Sequence, residues 1–240
     1  MRKSRSHSDI ILDAKRIITE DSPFAIKEAY RTLYTNIMYL PIENKCRRFV
    51  LTSAVAGEGK TSVSINLAYT IATTSPNARI LLVDADMRSP RIASLLNIAS
   101  GNVHGLSEYL AGIDDTPSTI TSSIYPNLDV LTSGAENTNT TALLSSAAMQ
   151  RLSDFFNQNY DYVIIDTPPI SLVTDAIFFR EYTDGYLVIA RADYSDVNEI
   201  SEAVRVLTDL EANIFGFVLC SINSKRTKKY GKSKYDGSAY

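Results

Sequence analysis

A chain of 240 residues with 45% hydrophobic and 21% charged side chains has the composition of a folded domain able to bury a substantial core, which excludes a disordered polymer. The formal net charge of −3 argues against bulk nucleic-acid binding and leaves only local basic clusters. Two cysteines, Cys46 and Cys220, form no CxxC pair and imply no disulfide framework, as suits a reducing cytosol.

No apolar run approaches the ~20 residues of a membrane helix, and Met1 to His7 lacks a signal-peptide core. The first twenty residues read as a mobile basic arm. Asp21-Ser22-Pro23 then reads as a helix start with a proline at an early position. From Phe24 to Tyr39, Ile26, Tyr30, Leu33 and Ile37 recur at helical spacing. Apolar runs at Phe49–Leu51, Ile80–Val83, Leu128–Leu131, Val163–Ile165, Tyr186–Ala190 and Phe215–Cys220 are continuous rather than alternating, the pattern of strands covered on both faces. Helical patterns lie between them at Thr61–Thr73, Thr141–Phe156 and Val197–Leu210, the second capped from the Thr-Asn-Thr-Thr stretch at 138–141. This alternation predicts one α/β domain over residues 21–222: a doubly wound, mostly parallel sheet with helices on both faces, P-loop NTPase-like. Residues 223–240 have no apolar periodicity and read as a flexible tail.

The most informative run is Phe49 to Ser62. Ala54 to Thr61 fits a P-loop with alanine in place of the first glycine, entered by a strand and left by a helix. Backbone amides at such a helix start cradle phosphates. The candidate nucleotide-binding residues are therefore Ala56, Gly57, Glu58, Gly59, Lys60, Thr61 and Ser62. Gly57 and Gly59 allow the tight path, Lys60 reaches the outer phosphates, and the Thr61 hydroxyl is placed to ligate Mg²⁺. The strand Ile80–Val83 runs into Asp84 and Asp86, with Arg88 two residues on. The strand Val163–Ile165 runs into Asp166, a Walker B-like end. Carboxylates at the carboxyl ends of parallel strands lie where such sheets bind ligands. Mg²⁺ keeps several waters and needs few protein oxygens, so Thr61, Asp86 and Asp166 are the candidate metal ligands. ATP with Mg²⁺ is the expected cofactor pair. His7 and His104 read as arm and loop residues without a catalytic role.

The combination of P-loop, Asp-x-Asp and Asp-Thr-Pro-Pro looks like the group that holds the chromosome-partitioning and division-site ATPases, but their signature lysine position is Val55 here. The chain instead resembles the bacterial tyrosine kinases of capsule and exopolysaccharide synthesis, the stand-alone cytoplasmic kind. The resemblance rests on Ala56–Ser62, Val83–Pro90, Ile164–Pro169 with Asp175-Ala176 beyond, and the tyrosine-bearing tail. It implies a catalytic set of Lys60, Asp84, Asp86 and Asp166. Either Asp84, the first candidate, or Asp86 would orient the acceptor hydroxyl. It also implies autophosphorylation in trans at Tyr230, Tyr235 and Tyr240.

Glu28 and Arg31 match the family's oligomerisation helix (residues 23–39), while Tyr34 replaces its second arginine, and Cys220 replaces the asparagine that usually ends the last strand. A homo-oligomer, a membrane-embedded activator (polysaccharide co-polymerase) acting through its cytoplasmic segment, a cognate tyrosine phosphatase and a site at the inner face of the membrane are implied. No nucleic-acid partner is expected. An ATPase switch and a weakly catalytic nucleotide-binding adaptor remain as alternatives.

Overall fold

Val50, Leu81, Val163 and Val188 project to one side of a central sheet, and their neighbours Leu51, Leu82, Ile164 and Ile189 to the other; all eight are buried. Side chains alternate along a strand, so a strand must be apolar throughout when both its faces are covered. This explains the continuous runs in the sequence.

The computed structural model describes residues 17–98, 104–113, 120–123, 125–137 and 139–220. Helix α1 (Phe24–Met38) leads to β1 (Arg47–Ser53), α2 (Lys60–Thr74), β2 (Ile80–Asp84) and the short helices α3 (Ile92–Leu95) and α4 (Leu106–Leu110). Then come β3 (Ile120–Ser122), β4 (Leu128–Leu131), α5 (Thr140–Leu144), α6 (Ala147–Asn159) and β5 (Tyr162–Asp166). A 3₁₀ segment (Asp175–Tyr182), β6 (Gly185–Arg191), α7 (Val197–Asp209) and β7 (Ile214–Cys220) follow.

The strand order is β3-β4-β2-β5-β1-β6-β7. Every pairing is parallel except β3 with β4. Helices α1 to α3 supply Ile37, Ile65 and Ile92 to one core, while α4 to α7 and the 3₁₀ segment supply Leu110, Leu152, Phe179 and Leu207 to the other. The doubly wound, mostly parallel fold expected from the sequence is thus present.

Several local expectations differ. The single helix expected over Thr141–Phe156 is two: α5 ends at Leu144, and α6 restarts after Ser146, whose backbone is extended (φ −79°, ψ 157°). Serines compete for backbone partners and favour such breaks; the Ser145 hydroxyl donates to the Ala142 carbonyl at 3.3 Å. Asn139 caps α5 without a side-chain bond, and Thr138 lies outside the described residues. Pro23 is itself the residue before α1 rather than its first turn. The end of the expected mobile arm is anchored: Ile17 packs on the core and the Ile18 amide donates to Asn66 Oδ1 at 2.8 Å. Residues 1–16 and the tail from 221 on, with Tyr230, Tyr235 and Tyr240, lie outside the described residues.

Candidate active site

Parallel pairing brings three strand ends to one edge of the sheet. Leu51 of β1 and Asp84 of β2 are both register partners of Asp166 on β5. The loop leaving β1 therefore starts beside two carboxylates far apart in sequence. Gly57 and Gly59 lie at φ +90° and +98°, backbone that side-chain-bearing residues rarely adopt. The chain there turns straight into α2, which starts at Lys60. Lys60 and Thr61 are buried at that start, and Ala56 is exposed at the tip of the loop.

Asp166 is buried. Its Oδ1 accepts from the Ser64 hydroxyl at 3.0 Å, and it also receives a bond from the Thr61 hydroxyl. Burial raises its pKa against the opposing pull of Lys60 and these two hydroxyls. Thr61 and Asp166, expected from the sequence to share a metal, therefore meet.

Asp84 is also buried, and burial together with the neighbouring Asp166 pushes it up to about 7. Its Oδ2 accepts the Arg91 and Ile92 amides at 3.0 and 2.9 Å, and its Oδ1 the Asp86 amide at 3.3 Å. It thus anchors the start of α3 as well as facing the site. Asp86 is only half-buried. Its Oδ1 accepts the Ser89 amide at 3.0 Å. Burial pushes it to about 6 while Lys60 pulls it back down.

Glu58, expected among the nucleotide contacts, spends its side chain inside the loop. Oε2 accepts the Val55 amide at 2.9 Å, and Oε1 accepts a short bond from the Ser195 hydroxyl. Ser62 is half-buried on the first turn of α2. Arg88 forks onto the buried Asp175, with Nε to Oδ2 at 2.8 Å and a terminal nitrogen to Oδ1 at 3.2 Å, and also donates to the Thr140 hydroxyl. This cluster ties the Asp-x-Asp loop to the 3₁₀ segment. Arg88 and Asp175 were each singled out in the sequence, but nothing there paired them across 87 positions.

The turn between β6 and α7 carried no motif and yet grips the phosphate loop. Arg191 donates to the Gly57 carbonyl at 3.2 Å and Tyr194 to the Ala56 carbonyl at 2.9 Å. Away from the site, Glu28 and Arg31 are both exposed and pair with each other at 3.3 Å. Tyr34 turns inward, where its hydroxyl is 2.7 Å from that of Ser75 and its ring meets Tyr162 edge-on. Cys220 ends β7, with its Sγ 4.0 Å from where a Cβ on Gly59 would stand.

A glycine-turned loop at a helix start, a buried lysine and acidic residues at adjacent strand ends define a P-loop nucleotide-binding protein. An AAA domain family matches residues 49–213. The tyrosine-protein kinase CpsD of Streptococcus agalactiae serotype III is 32% identical over 197 residues, covering 82% of this chain and 83% of its own. The tyrosine-protein kinase YwqD of Bacillus subtilis is 30% identical over 225 residues, covering 93% and 92%. In structure, the kinase domain of the Escherichia coli tyrosine kinase ETK superposes with a TM-score of 0.77 at 31% identity, covering 94% of this chain and 86% of that one. The chain belongs to the bacterial tyrosine-protein kinase family, as its motifs led us to expect.

Proposed function

We propose that this protein transfers the γ-phosphoryl group of ATP to tyrosine hydroxyls, among them Tyr230, Tyr235 and Tyr240 of a neighbouring copy, within the control of capsule or exopolysaccharide synthesis. The observation that carries this reading is the gathering of Lys60, Thr61, Asp84, Asp86 and Asp166 at one sheet edge beside a loop of positive-φ glycines.

Those residues fit a nucleotide with Mg²⁺. Two buried carboxylates and a half-buried one have raised pKa values despite Lys60 beside Asp86 and Asp166 and Arg91 near Asp166, a chemistry that favours an added cation. Among the described residues no three His, Cys, Asp or Glu side chains form a ready-made metal cage. That accords with an ion held by few protein oxygens and completed by water and phosphate. Thr61 and Asp166 would hold it, with Asp86 through water. Bound Mg²⁺ supplies neutralisation of phosphate charge.

Phosphoryl transfer has a loose transition state, so positioning and charge neutralisation carry most of the catalysis. The loop amides and Lys60 would hold the outer phosphates and stabilise the transferring group. Asp84 spends both oxygens on backbone amides, which favours the more open Asp86 as the group that orients the acceptor hydroxyl. Asp86 at about 6 lies ~4 units below a phenol at about 10, roughly 5 kcal/mol. It therefore accepts the proton late, as the new bond forms, rather than deprotonating tyrosine beforehand.

A membrane-embedded activator, a homo-oligomeric state using Glu28 and Arg31, a cognate phosphatase and residence at the inner membrane face complete the reading. In keeping with it, among the described residues no helix is long and apolar enough to cross a membrane. The tail Lys225–Tyr240 carries six basic residues and one acidic one. Three phosphotyrosines, each adding about −1.5 to −2, would cancel its charge and release an acidic neighbour.

Incubation with ATP and Mg²⁺ followed by phosphopeptide mapping by mass tests the reading. Phosphate on the tail tyrosines is expected. Free phosphate with nucleotide-dependent dimerisation and no labelled tyrosine would instead mark an ATPase switch, and bound nucleotide with neither product an adaptor.

A further inference from the structure

Among the described residues two tyrosines are exposed, Tyr39 and Tyr194, and Tyr194 is the one at the phosphate loop. Its ring is half open to solvent (51%), yet its hydroxyl donates to the Ala56 carbonyl. The same hydroxyl stands 3.2 Å from where a Cβ on Gly57 would be, so the glycine also makes room for the phenol. Arg191 lies 4.7 Å over the ring and donates to the next carbonyl, Gly57. Ser195 closes the grip: its hydroxyl accepts the Arg191 amide at 2.7 Å and donates to Glu58. Three consecutive loop residues are thereby held by one turn, Ala56 and Gly57 by their carbonyls and Glu58 by its side-chain carboxylate. Their amide side is left to the phosphates.

We infer that Tyr194 is a regulatory phosphorylation site that releases the phosphate loop. The inference rests on the kinase reading above. In the reaction the Tyr194 Oη forms a bond to the γ-phosphorus of ATP, the bond from that phosphorus to the bridging oxygen of ADP breaks, ADP leaves, and the phenolic proton passes to a base. Because the hydroxyl lies on the carbonyl side of its own loop, away from the amides that cradle its own nucleotide, the donor is the site of a second copy.

Modification changes the local chemistry in two ways. The hydroxyl that donates to Ala56 becomes an ester oxygen with no proton to give. A dianionic group also arrives beside the carbonyl of Ala56 and the Gly57 backbone, with Arg191 stacked over the ring that carries it. Arg191 pairs more strongly with a phosphate than with the neutral Gly57 carbonyl, so the loop loses both contacts and ATP binding weakens.

Three full-length forms test this: wild type, Tyr194→Phe and Tyr194→Glu. After incubation with ATP and Mg²⁺, phosphate on the Tyr194 peptide as well as on the tail is expected in the wild type and absent from that peptide in Tyr194→Phe. Nucleotide affinity, read by titration with a fluorescent ADP analogue, should fall about three- to tenfold in Tyr194→Phe, the loss of one hydrogen bond, and further in Tyr194→Glu, with thermal unfolding little changed in both. A labelled tail with Tyr194 unlabelled overturns this inference and leaves the kinase reading standing. Equal affinity in all three forms overturns the release of the loop even where Tyr194 is labelled, and absence of label on every tyrosine overturns both readings.

Discussion

Asp84 and Asp166 face each other in register across β2 and β5, two buried carboxylates on adjacent strands. The pair favours a neutral state of Asp84, which burial and the Asp166 charge push up to about 7. An acid raised above its unfolded value of about 3.9 contributes stability below that value and loses it as pH rises through the folded value. An asparagine side chain in its place would mimic the protonated acid at every pH. The stability of Asp84→Asn relative to wild type, in protein free of nucleotide and metal, should therefore improve from pH 5 to pH 8, by about 2.5 kcal/mol. Urea denaturation at the two pH values checks this, and a pH-independent difference would count against it.

The Arg88–Asp175 fork gives a second expectation. Asp175 has no exposed surface and its carboxylate is answered by Arg88. Removing one partner of a buried pair strands the other charge, at a cost of about 3–5 kcal/mol. Arg88→Ala should lower unfolding free energy by that order, and Arg88→Lys by less, since lysine keeps the charge but not the two-pronged geometry. Chemical denaturation at pH 7 measures both.

Tyr34 stands where the resemblance read from the sequence leads one to expect the second arginine of an oligomerisation motif, but its side chain is 2% exposed and packs on Ser75 and Tyr162. Tyr34→Arg would restore that arginine and bury a guanidinium where Tyr34 now meets Ser75 and Tyr162. It should destabilise the fold by several kcal/mol instead of strengthening assembly. Thermal unfolding and sedimentation, read together, separate the two outcomes.

The thiols should be quiet. Burial pushes Cys46 up to about 12, and burial with the nearby Glu58 pushes Cys220 up to about 11. The thiolate is the reactive species. At pH 8 Cys220 should thus be modified by a thiol reagent about a hundredfold more slowly than a free cysteine, and Cys46 only on unfolding. Rapid labelling of either in the native protein would contradict the packing described.

How much of this was legible in the sequence follows from the range of each interaction. The phosphate loop, Asp84, Asp86 and Asp166 were readable because each sits on a local pattern of strand, turn and helix. The break at Ser145-Ser146 was hidden by apolar spacing that ran through it. Strand β3, three residues long, was too short for any period to register. In α1 the stripe was read from Ile26, which is exposed, while Tyr34, four residues after Tyr30 and three before Ile37, belonged to the buried face. The grip of Tyr194 on Ala56 spans 138 positions and leaves no local trace. Nor does Glu58 announce that its carboxylate serves Val55 and Ser195 rather than a ligand.

The measurement closest to the central claim mixes two forms of the chain: Lys60→Met with its tail intact, and a form with Tyr230, Tyr235 and Tyr240 all changed to Phe and its phosphate loop intact. With ATP and Mg²⁺, phosphate should appear on the tail tyrosines of Lys60→Met only when the second form is present, and neither form alone should label that tail. Label on Lys60→Met incubated by itself, or free phosphate from the mixture with no tail tyrosine modified, would contradict transfer by the site built around Lys60.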